Sequence, residues 1–426
     1  MHIANTALPL ARIHLMPSDM TSDMTSDMTY NVNLIRAQFP ALNSGTAFFD
    51  GPGGSQVPKS VGDAMGKTIT SAISNRGTTT KAEQNADSVV LGFRSAVADL
   101  LNCDPAGVVY GRSWTQITYD FSRTLAKSWK VGDEIIVTRL DHDSNVRPWV
   151  QAAEAVGATV KWAEIDTATG ELAPEVIGNL LTSKTKLVAV TGASNVLGTR
   201  PNIPAISKLV HAVGALFYVD GVHLTPHTLI DMKTLGADFY GFSSYKLFGP
   251  HCAAIAAEPE LLRTLNNDKL LPATSEVPER FEFGTLPYEI MAGVTAAIDF
   301  IADVIPNQSG TRRAKIVASM IAMERYEEEL FRYMDEKLRG LPKIKVYSNA
   351  SRRTPTAFFT FDGLNSSDVY KHLASKNVNA PASNFYGLEA CLSLGLGDVG
   401  AIRAGLAPYS TREDVDRLIS GISELL

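Results

Sequence analysis

A lysine in a short turn is the first residue whose setting indicates chemistry. Lys246 stands in Ser-Ser-Tyr-Lys-Leu-Phe-Gly, directly after a predicted strand at 239–243. A lysine after a strand is most often a solvated loop residue. Here three hydroxyl side chains precede it, and Gly249-Pro250 ends the turn sharply. A lysine that forms a Schiff base must be desolvated so that its amine is available near neutral pH, and this turn is a candidate for that setting.

An acidic residue ends another predicted strand. Asp220 lies in Phe-Tyr-Val-Asp-Gly-Val-His. It could cap the next helix. It could equally pair with the ring nitrogen of a bound cofactor and keep that nitrogen protonated, so that the ring draws electrons. His223 follows closely enough along the chain to share the same site.

Three further polar clusters follow predicted strands. Residues 141–145 read Asp-His-Asp-Ser-Asn after a strand at 134–138, and by themselves they suit a helix N-cap. Ser194-Asn195 follows a strand at 186–191, where the amide could hydrogen-bond a phenolic oxygen. Residues 111–115 join a strand to a helix, and the free N–H groups of the helix start form a possible phosphate seat.

The order of predicted elements explains why these clusters should meet. Amphipathic stretches such as 146–156 and 204–213 lie between short runs rich in β-branched or aromatic residues. Strands that alternate with helices indicate parallel strands joined by helical crossovers, and hence an α/β domain. In such sheets, ligands collect at the carboxyl ends of the strands. The predicted strands lie at 108–110, 134–138, 159–165, 186–191, 216–219, 239–242 and 253–256.

The chain divides into a tail and two domains. Residues 1–30, with Ser-Asp-Met-Thr repeated from Ser18 to Thr29, predict a disordered tail or an upstream start, and they lack the pattern of a secretory signal. A large domain is predicted at 31–303, of which 31–46 is expected to pack with the small domain. The smaller domain at 304–426 is expected to be α+β.

Composition narrows the classes of function. The 426 residues carry a net charge of −6, which gives no basic footprint for nucleic acid. No apolar run is long enough to span a bilayer, and no metal site is predicted. Three cysteines, at positions 103, 252 and 391, form no redox or metal pair, which suits a reducing cytoplasm.

Together, the motifs resemble one family. The chain resembles the class V aminotransferases of fold type I, which use pyridoxal 5′-phosphate (PLP), and within them the cysteine-desulfurase-like branch. The resemblance runs from about residue 33 to the C-terminus. It implies a large domain with a mostly parallel seven-stranded sheet and a smaller C-terminal α+β domain. The matching motifs are Phe-Phe-Asp-Gly-Pro-Gly-Gly, Asp-His-Asp-Ser-Asn-Val-Arg-Pro-Trp, Ser-Asn-Val-Leu-Gly-Thr, Val-Asp-Gly-Val-His, Tyr-Lys-Leu-Phe-Gly-Pro and Ile-Arg-Ala-Gly-Leu-Ala-Pro-Tyr-Ser-Thr.

The resemblance implies catalytic and cofactor-binding roles for the matched residues. Lys246 would hold PLP as a Schiff base and shuttle protons, and Asp220 would pair with the pyridine nitrogen. His142 would stack on the ring, and Asn195 would contact its hydroxyl. His223 stands where the desulfurases usually have Gln, so a contact is implied but its protonation role stays open.

The same resemblance implies the remaining contacts. Thr115, Gln116 and Ser243 would seat the phosphate. Gly284-Thr285 resembles the segment that reaches the neighbouring subunit's phosphate, which implies a homodimer with shared active sites. Arg403 would clamp the α-carboxylate of a small amino acid substrate with its bidentate fork.

Two positions depart from the desulfurase pattern. The segment at 380–387 lacks the nucleophilic Cys and the Arg of the desulfurase loop, and Cys391 further along reads as a packed residue. A sulfur-acceptor protein is therefore not expected. Tyr245 is similar to the Tyr of the Tyr-Lys pair in kynureninases, although it could do no more than bind phosphate.

The reaction stays open on the sequence. Without a thiol, β-elimination needs only a base, an electron sink and a leaving group, so a C–S lyase or a transaminase is the leading hypothesis. A PLP-dependent epimerase and a scaffold protein without catalysis are the alternatives. A nicotinamide enzyme is disfavoured because no Gly-x-Gly-x-x-Gly follows the first strand.

Overall fold

The computed structural model describes residues 30–426. The predicted tail therefore lies outside the described residues, except for Tyr30, whose ring stacks on Tyr326 at 4.5 Å. A few residues later, Arg36 pairs with Asp414 at 3.0 Å. The domain limits given above stay predictions. None of the helices within the described range is long and apolar enough to cross a membrane.

A sheet of seven strands forms the larger layer of the fold. Its order is β2-β8-β7-β6-β5-β3-β4, and every pairing is parallel except those of β8, which is antiparallel to both neighbours. The prediction of an α/β fold with a mostly parallel seven-stranded sheet is confirmed. The strands are β2 (Val108–Gly111), β3 (Glu134–Thr138), β4 (Thr159–Ala163), β5 (Thr185–Thr191), β6 (Leu216–Asp220), β7 (Phe239–Ser243) and β8 (Ala253–Ala257).

The C-terminal part carries a smaller antiparallel sheet, as the predicted α+β character requires. Four strands pair in the order β12-β13-β10-β9. A further parallel pair joins β1 near the start of the described chain to β11. These strands are β1 (Ala47–Phe48), β9 (Ile344–Tyr347), β10 (Thr356–Phe361), β11 (Val378–Asn379), β12 (Ala382–Ser383) and β13 (Ala401–Gly405).

Helices cover the sheets and connect their strands. The longest, α11, follows the segment where the sequence predicts the domain boundary. The helices are α1 (Val32–Arg36), α2 (Lys59–Ile69), α3 (Lys81–Leu101), α4 (Trp114–Ala126), α5 (Arg147–Val156), α6 (Pro174–Gly178), α7 (Ile203–Ala212), α8 (Met232–Leu235), α9 (Pro259–Thr264), α10 (Tyr288–Ala302), α11 (Arg312–Gly340), α12 (Ser366–Ser375), α13 (Leu388–Ser393) and α14 (Arg412–Ser423).

The central strands are apolar on both faces because helices cover both faces. In β5, Val188 and Val190 pack into one core cluster with Phe217, whereas Leu187 and Ala189 pack into the other. Burying a large aliphatic side chain stabilises a fold by about 1.5–3 kcal/mol. This burial fixes the strands, and because β3, β5, β6 and β7 are parallel, their carboxyl ends lie at one edge of the sheet.

Candidate active site

A cavity of about 470 Å³ lies at that edge, and most of the predicted site residues line it. We call five of the polar residues at these ends, His142, Asn195, Asp220, Ser243 and Lys246, the strand-end cluster. The cavity also brings in His223, Tyr245 and Thr115. Eight of the residues predicted from sequence therefore share one cavity, although they come from distant parts of the chain.

Lys246 is buried in the turn that follows β7. The turn is tight, because a Cβ on Gly249 would stand 1.9 Å from the Ser244 hydroxyl. Only 7% of Lys246 is exposed. Burial, followed by the nearby charge of Arg403, lowers the pKa of the Lys246 amine to about 7, against the opposing effect of Asp220. A large share of this amine is therefore neutral near neutral pH, which is what a nucleophilic lysine requires.

Asp220 ends β6 with both carboxylate oxygens hydrogen-bonded. Oδ1 accepts from the Val222 backbone N–H at 2.9 Å, and Oδ2 accepts from the Trp114 indole N–H at 2.7 Å. Burial raises the pKa of Asp220 to about 6, although its hydrogen bonds and Lys246 lower it. The Trp114 contact was not predicted from the sequence, and the only signal for it was a large aromatic residue at the start of α4.

Two histidines line the cavity in the neutral form. His142 Nδ1 accepts from the Ser144 backbone N–H at 3.1 Å, so its Nε2 carries the ring proton. Burial and the charges of Lys246 and Arg403 lower the pKa of His142 to about 3. His223 Nε2 lies 3.0 Å from the hydroxyls of Thr354 and Thr356, and burial holds its pKa well below the usual value.

Arg403 lies on β13, in contact with Asn195 of the cavity lining, and is 2% exposed. Its Nη1 donates to the Asn195 carbonyl at 3.0 Å, whereas its buried Nε has no partner. Within residues 30–426 no carboxylate pairs with this guanidinium, and burial lowers its pKa to about 9. A Cβ on Gly53 would stand 3.1 Å from Nη2, so the Phe-Phe-Asp-Gly-Pro-Gly-Gly motif gives the guanidinium its space. Arg403 is thus a cation with an unfilled donor edge.

Residues 380–387, which we call the covering segment, lie against the strand-end cluster. The Phe385 ring packs on the Arg403 guanidinium at 3.7 Å, and its carbonyl accepts from Asn195 Nδ2 at 2.9 Å. The Tyr386 carbonyl accepts from the Asp143 N–H at 2.7 Å, and its ring centroid is 5.6 Å from that of His142. The Asn195 amide nitrogen is therefore engaged by the covering segment, and its buried Oδ1 has no partner.

The start of α4 faces the cavity with Ser113, Trp114 and Thr115. Ser113 caps this helix by accepting from the Gln116 N–H at 3.1 Å. The Gln116 side chain and Thr285 lie elsewhere, because both line a second cavity of about 1200 Å³. Thr285 is exposed after Gly284, whose φ is +80°. The structure thus brings Thr115 and Ser243 together with Lys246, but not Gln116 or Thr285.

None of the three cysteines lines the first cavity in the described structure. Cys391 is fully buried at 0% exposure, and burial raises the pKa of its thiol to about 11. Burial likewise raises the thiol pKa of Cys252 and of Cys103 to about 12. All three thiols are therefore protonated near neutral pH, which makes them poor nucleophiles.

The geometry fits a PLP group, as three buried polar atoms without partners show. The atoms are Asn195 Oδ1, His223 Nδ1 and Arg403 Nε. Buried polar atoms are normally hydrogen-bonded, so these three atoms, on or next to the cavity lining, are available to the polar groups of a ligand. With an acid, a desolvated lysine and a helix N-terminus around the same space, the cavity has the donors and acceptors that a phosphorylated pyridine requires.

Comparison with known proteins identifies the family. The model of the class V aminotransferases matches residues 47–418. The "Uncharacterized protein MT3887" of Mycobacterium tuberculosis is 33% identical over 402 residues, covering 93% of this chain and 99% of its own length. The "Aminotransferase-like protein FGM3" of Gibberella zeae is 33% identical over 412 residues, with 93% and 99% covered. The chain therefore belongs to the class V aminotransferase family, and it is a PLP-dependent enzyme.

Within the family, the chain falls in the cysteine-desulfurase-like branch. The crystal structure of the cysteine desulfurase CsdA from Escherichia coli superposes with a TM-score of 0.82 at 25% identity, over 93% of this chain and 100% of that one. A structure of C-DES with glycine covalently linked to its PLP cofactor has the same fold, with a TM-score of 0.77 at 19% identity, over 91% and 99% of the two chains. The predicted family, fold type and cofactor are confirmed.

Proposed function

We propose that the enzyme breaks a bond at Cβ of a small α-amino acid by β-elimination, as a C–S lyase that needs no protein thiol. The observation that carries this proposal is a cavity lined by the desolvated Lys246 and by none of the cysteines within residues 30–426, with Arg403 in contact with Asn195 of that lining. PLP, when bound, supplies an electron sink that makes the α-proton of the substrate acidic.

Lys246 would hold the cofactor as a Schiff base and then move the α-proton. Its amine is suited to both tasks because its pKa of about 7 allows it to accept and release a proton near neutral pH. Asp220 would hold the ring nitrogen protonated, and the neutral His142 would lie against the ring. His223 Nδ1 and Asn195 Oδ1, both without partners, are available for the ring's polar substituents.

Arg403 would bind the substrate carboxylate. Its Nη1 is held by Asn195, so the edge formed by Nε and Nη2 is the one that can form a bidentate pair. The Phe385 ring covers one face of the guanidinium and excludes water from it. The carboxylate would therefore approach in the guanidinium plane, which orients Cα toward Lys246.

The phosphate would be seated by Thr115, Ser243 and the start of α4, with Tyr245 beside them. We also propose a homodimer in which Thr285 completes the seat of the partner subunit's phosphate, since Thr285 is exposed and remote from its own cavity. Gln116 lines the same second cavity as Thr285, so it would lie at the boundary between the two subunits. Three unpaired cysteines suit a cytoplasmic enzyme.

A substrate screen tests the proposed reaction. The purified holoenzyme is incubated with L-cysteine, S-substituted cysteines and L-alanine, and the products are identified as keto acid, ammonia, alanine or exchanged amino groups. From cysteine derivatives we expect pyruvate, ammonia and the released thiol (sulfide in the case of L-cysteine), with water supplying the pyruvate oxygen. The Cys391→Ser variant should give the same products. Equal amounts of alanine and sulfane sulfur, which an added thiol reductant converts to sulfide, would instead indicate desulfuration, and amino-group transfer to an added keto acid would indicate a transaminase. Either result would overturn the proposed elimination.

A further inference from the structure

Asp220 is held by a side chain to which the family resemblance gave no role. We infer that Trp114 donates to the Asp220 carboxylate in order to position it, so that the ring nitrogen of bound PLP rather than Asp220 retains the proton they share. The inference rests on the proposed pairing of Asp220 with that nitrogen. Trp114 acts through Asp220 and is therefore a positioning residue.

The contact between the two side chains is short and dry. The indole Nε1 lies 2.7 Å from Asp220 Oδ2, and the two residues are 4% and 3% exposed. Asp220 Oδ1 is held by the Val222 N–H at 2.9 Å. Two donors fixed on different elements therefore determine the plane of the carboxylate. A hydrogen bond to a charged acceptor away from water is among the stronger ones in proteins.

A glycine on β7 gives this indole its space. A Cβ on Gly241 in β7 would stand 1.9 Å from the indole Cζ3, so no larger residue fits beneath the ring. On its other side the indole packs on Tyr218, with ring centroids 5.4 Å apart. Thr118 donates to the Trp114 carbonyl at 2.9 Å and lies 3.2 Å from the Tyr218 hydroxyl. The contacts with Gly241 and Tyr218 thus hold the indole in the position from which its N–H donates to Asp220.

The effects on Asp220 oppose one another, and the indole is one of the three groups that favour its ionised form. Burial favours a protonated Asp220, whereas Lys246, the Val222 N–H and the indole favour the carboxylate. The second buried acid, Asp141, is held by Thr138 and Asn145. Burial raises the pKa of Asp141 to about 8, with a contribution from Asp220, so Asp141 is mostly neutral near neutral pH. One negative charge then faces the ring nitrogen, and Trp114 stabilises it.

The consequence concerns where one proton resides. A carboxylate that already accepts two hydrogen bonds is less basic than one that accepts a single bond. The less basic carboxylate leaves the shared proton on the ring nitrogen, and a positively charged ring draws electrons more strongly. Without the indole N–H, the proton would move toward Asp220 and the ring would lose part of its charge.

The experiment reads the position of that proton directly. Enzyme is loaded with PLP labelled with ¹⁵N in the ring, and the nitrogen chemical shift is measured for the wild type and for Trp114→Phe. Asp220→Asn supplies the reference for a neutral ring. We expect the wild type to give a protonated-ring shift and Trp114→Phe to move toward the reference. Exchange of the α-proton of L-alanine in heavy water should slow roughly tenfold in Trp114→Phe, as expected for the loss of one hydrogen bond to a charged acceptor.

Trp149 provides the matched control. It is also a fully buried tryptophan packed on Tyr218, at 4.7 Å, but its indole donates to Asn145 rather than to Asp220. Trp149→Phe should keep the wild-type nitrogen shift. If Trp114→Phe keeps it as well, or if both variants move equally, the inference is wrong.

Two outcomes separate this inference from the proposed function. A wild type that binds no PLP, or an Asp220→Asn variant with an unchanged shift, would overturn the role of Asp220 itself. If Trp114→Phe does not fold, 3-benzothienylalanine at position 114 keeps the shape of the side chain and removes only its N–H. An unchanged nitrogen shift in that variant would contradict the inference.

Discussion

The strand-end cluster and the covering segment contact each other, but their backbone conformations differ. Lys246 and Asp220 follow regular strands whose apolar side chains are buried on both faces. In the covering segment, Phe385 and Tyr386 have φ angles of 50° and 57°. These are left-handed conformations that cost an L-residue about 1–2 kcal/mol each. Burial of apolar strand residues therefore stabilises the backbone of the cluster. In the covering segment, contacts with neighbouring residues must hold two strained residues in place.

The difference indicates which region determines which property. The cluster holds the lysine and the acid that we propose bind PLP, and Arg403, the proposed carboxylate-binding residue, contacts Asn195 of the cluster. In the resemblance to the cysteine desulfurases, the covering segment corresponds to the loop that carries their nucleophilic cysteine. In this chain the segment contains Phe385 and Tyr386 and no cysteine. Strained residues that are retained beside a site are commonly part of its function. We expect the cluster to determine that PLP is used and the segment to determine which substrates react.

The largest effect should come from removing the buried lysine charge in the PLP-free protein. Unfolded lysine has its ordinary pKa of 10.5, whereas folded Lys246 has a pKa of about 7. Between these values the unfolded state binds more protons, so Lys246 costs stability that is recovered as the pH rises toward 10.5. Lys246→Met should therefore be more stable than the wild type at neutral pH, by on the order of a few kcal/mol. The difference, measured by urea unfolding, should shrink as the pH rises; a constant difference would contradict the assigned pKa.

The next largest effect, on kcat/KM, should come from substitution of Arg403, the proposed carboxylate-binding residue. Arg403→Lys keeps the charge but loses the fork, so kcat/KM should fall by roughly 10–100-fold, mainly through KM. Arg412→Lys, at an exposed position of α14, is the control and should leave kcat/KM unchanged. An unchanged KM in Arg403→Lys would show that the carboxylate binds elsewhere.

Backbone strain in the covering segment can be measured with two variants of one residue. Tyr386 is 71% exposed, so its side chain contributes little burial. Tyr386→Gly and Tyr386→Ala remove nearly the same atoms, but only glycine relieves the positive φ of 57°. The glycine variant should be more stable than the alanine variant by about 1 kcal/mol in urea unfolding. If the alanine variant is equally stable, the segment is not strained there.

The smallest effect on catalytic activity is expected at Cys391. Because its thiol is buried and protonated, Cys391→Ser should retain catalytic activity to within about twofold, with at most about 1–3 kcal/mol lost in stability from burying a hydroxyl. Activity is compared at equal concentrations of folded holoenzyme. A folded variant without activity would place the thiol in the reaction after all.

The sequence predicted the sheet and the strand-end cluster because local signals coincide there. Short apolar runs that end in Asp220 and in the turn at Lys246 specify both a strand and its end. From the sequence, His142 could belong to a helix N-cap or stack on the cofactor ring. In the structure its Nδ1 accepts from the Ser144 N–H, as the capping interpretation requires. With that bond in place, His142 still lines the cavity, so capping and stacking are compatible.

The parts that the sequence did not predict depend on long-range packing. The rotation of α4 about its own axis decides which of its residues face the first cavity. In this orientation Gln116 lines the second cavity instead. The indole of Trp114 reaches Asp220 because Gly241, opposite Asp220 on the neighbouring strand β7 but far from Trp114 in the chain, leaves space beneath the ring. Glycine is the usual sequence signal for a left-handed backbone. Phe385 and Tyr386 adopt that conformation without being glycine, so the sequence did not predict it. Each of these features is determined by contacts between residues far apart in the chain.

The central claim, that Lys246 carries the cofactor, is tested most directly by reducing the holoenzyme with borohydride and mapping the modified peptide by mass spectrometry. We expect a visible absorption band that reduction removes, and the mass of one reduced PLP on the peptide containing Lys246. Lys246→Ala should carry none. A label on any other lysine, or a protein that stays colourless with added PLP, would contradict the account.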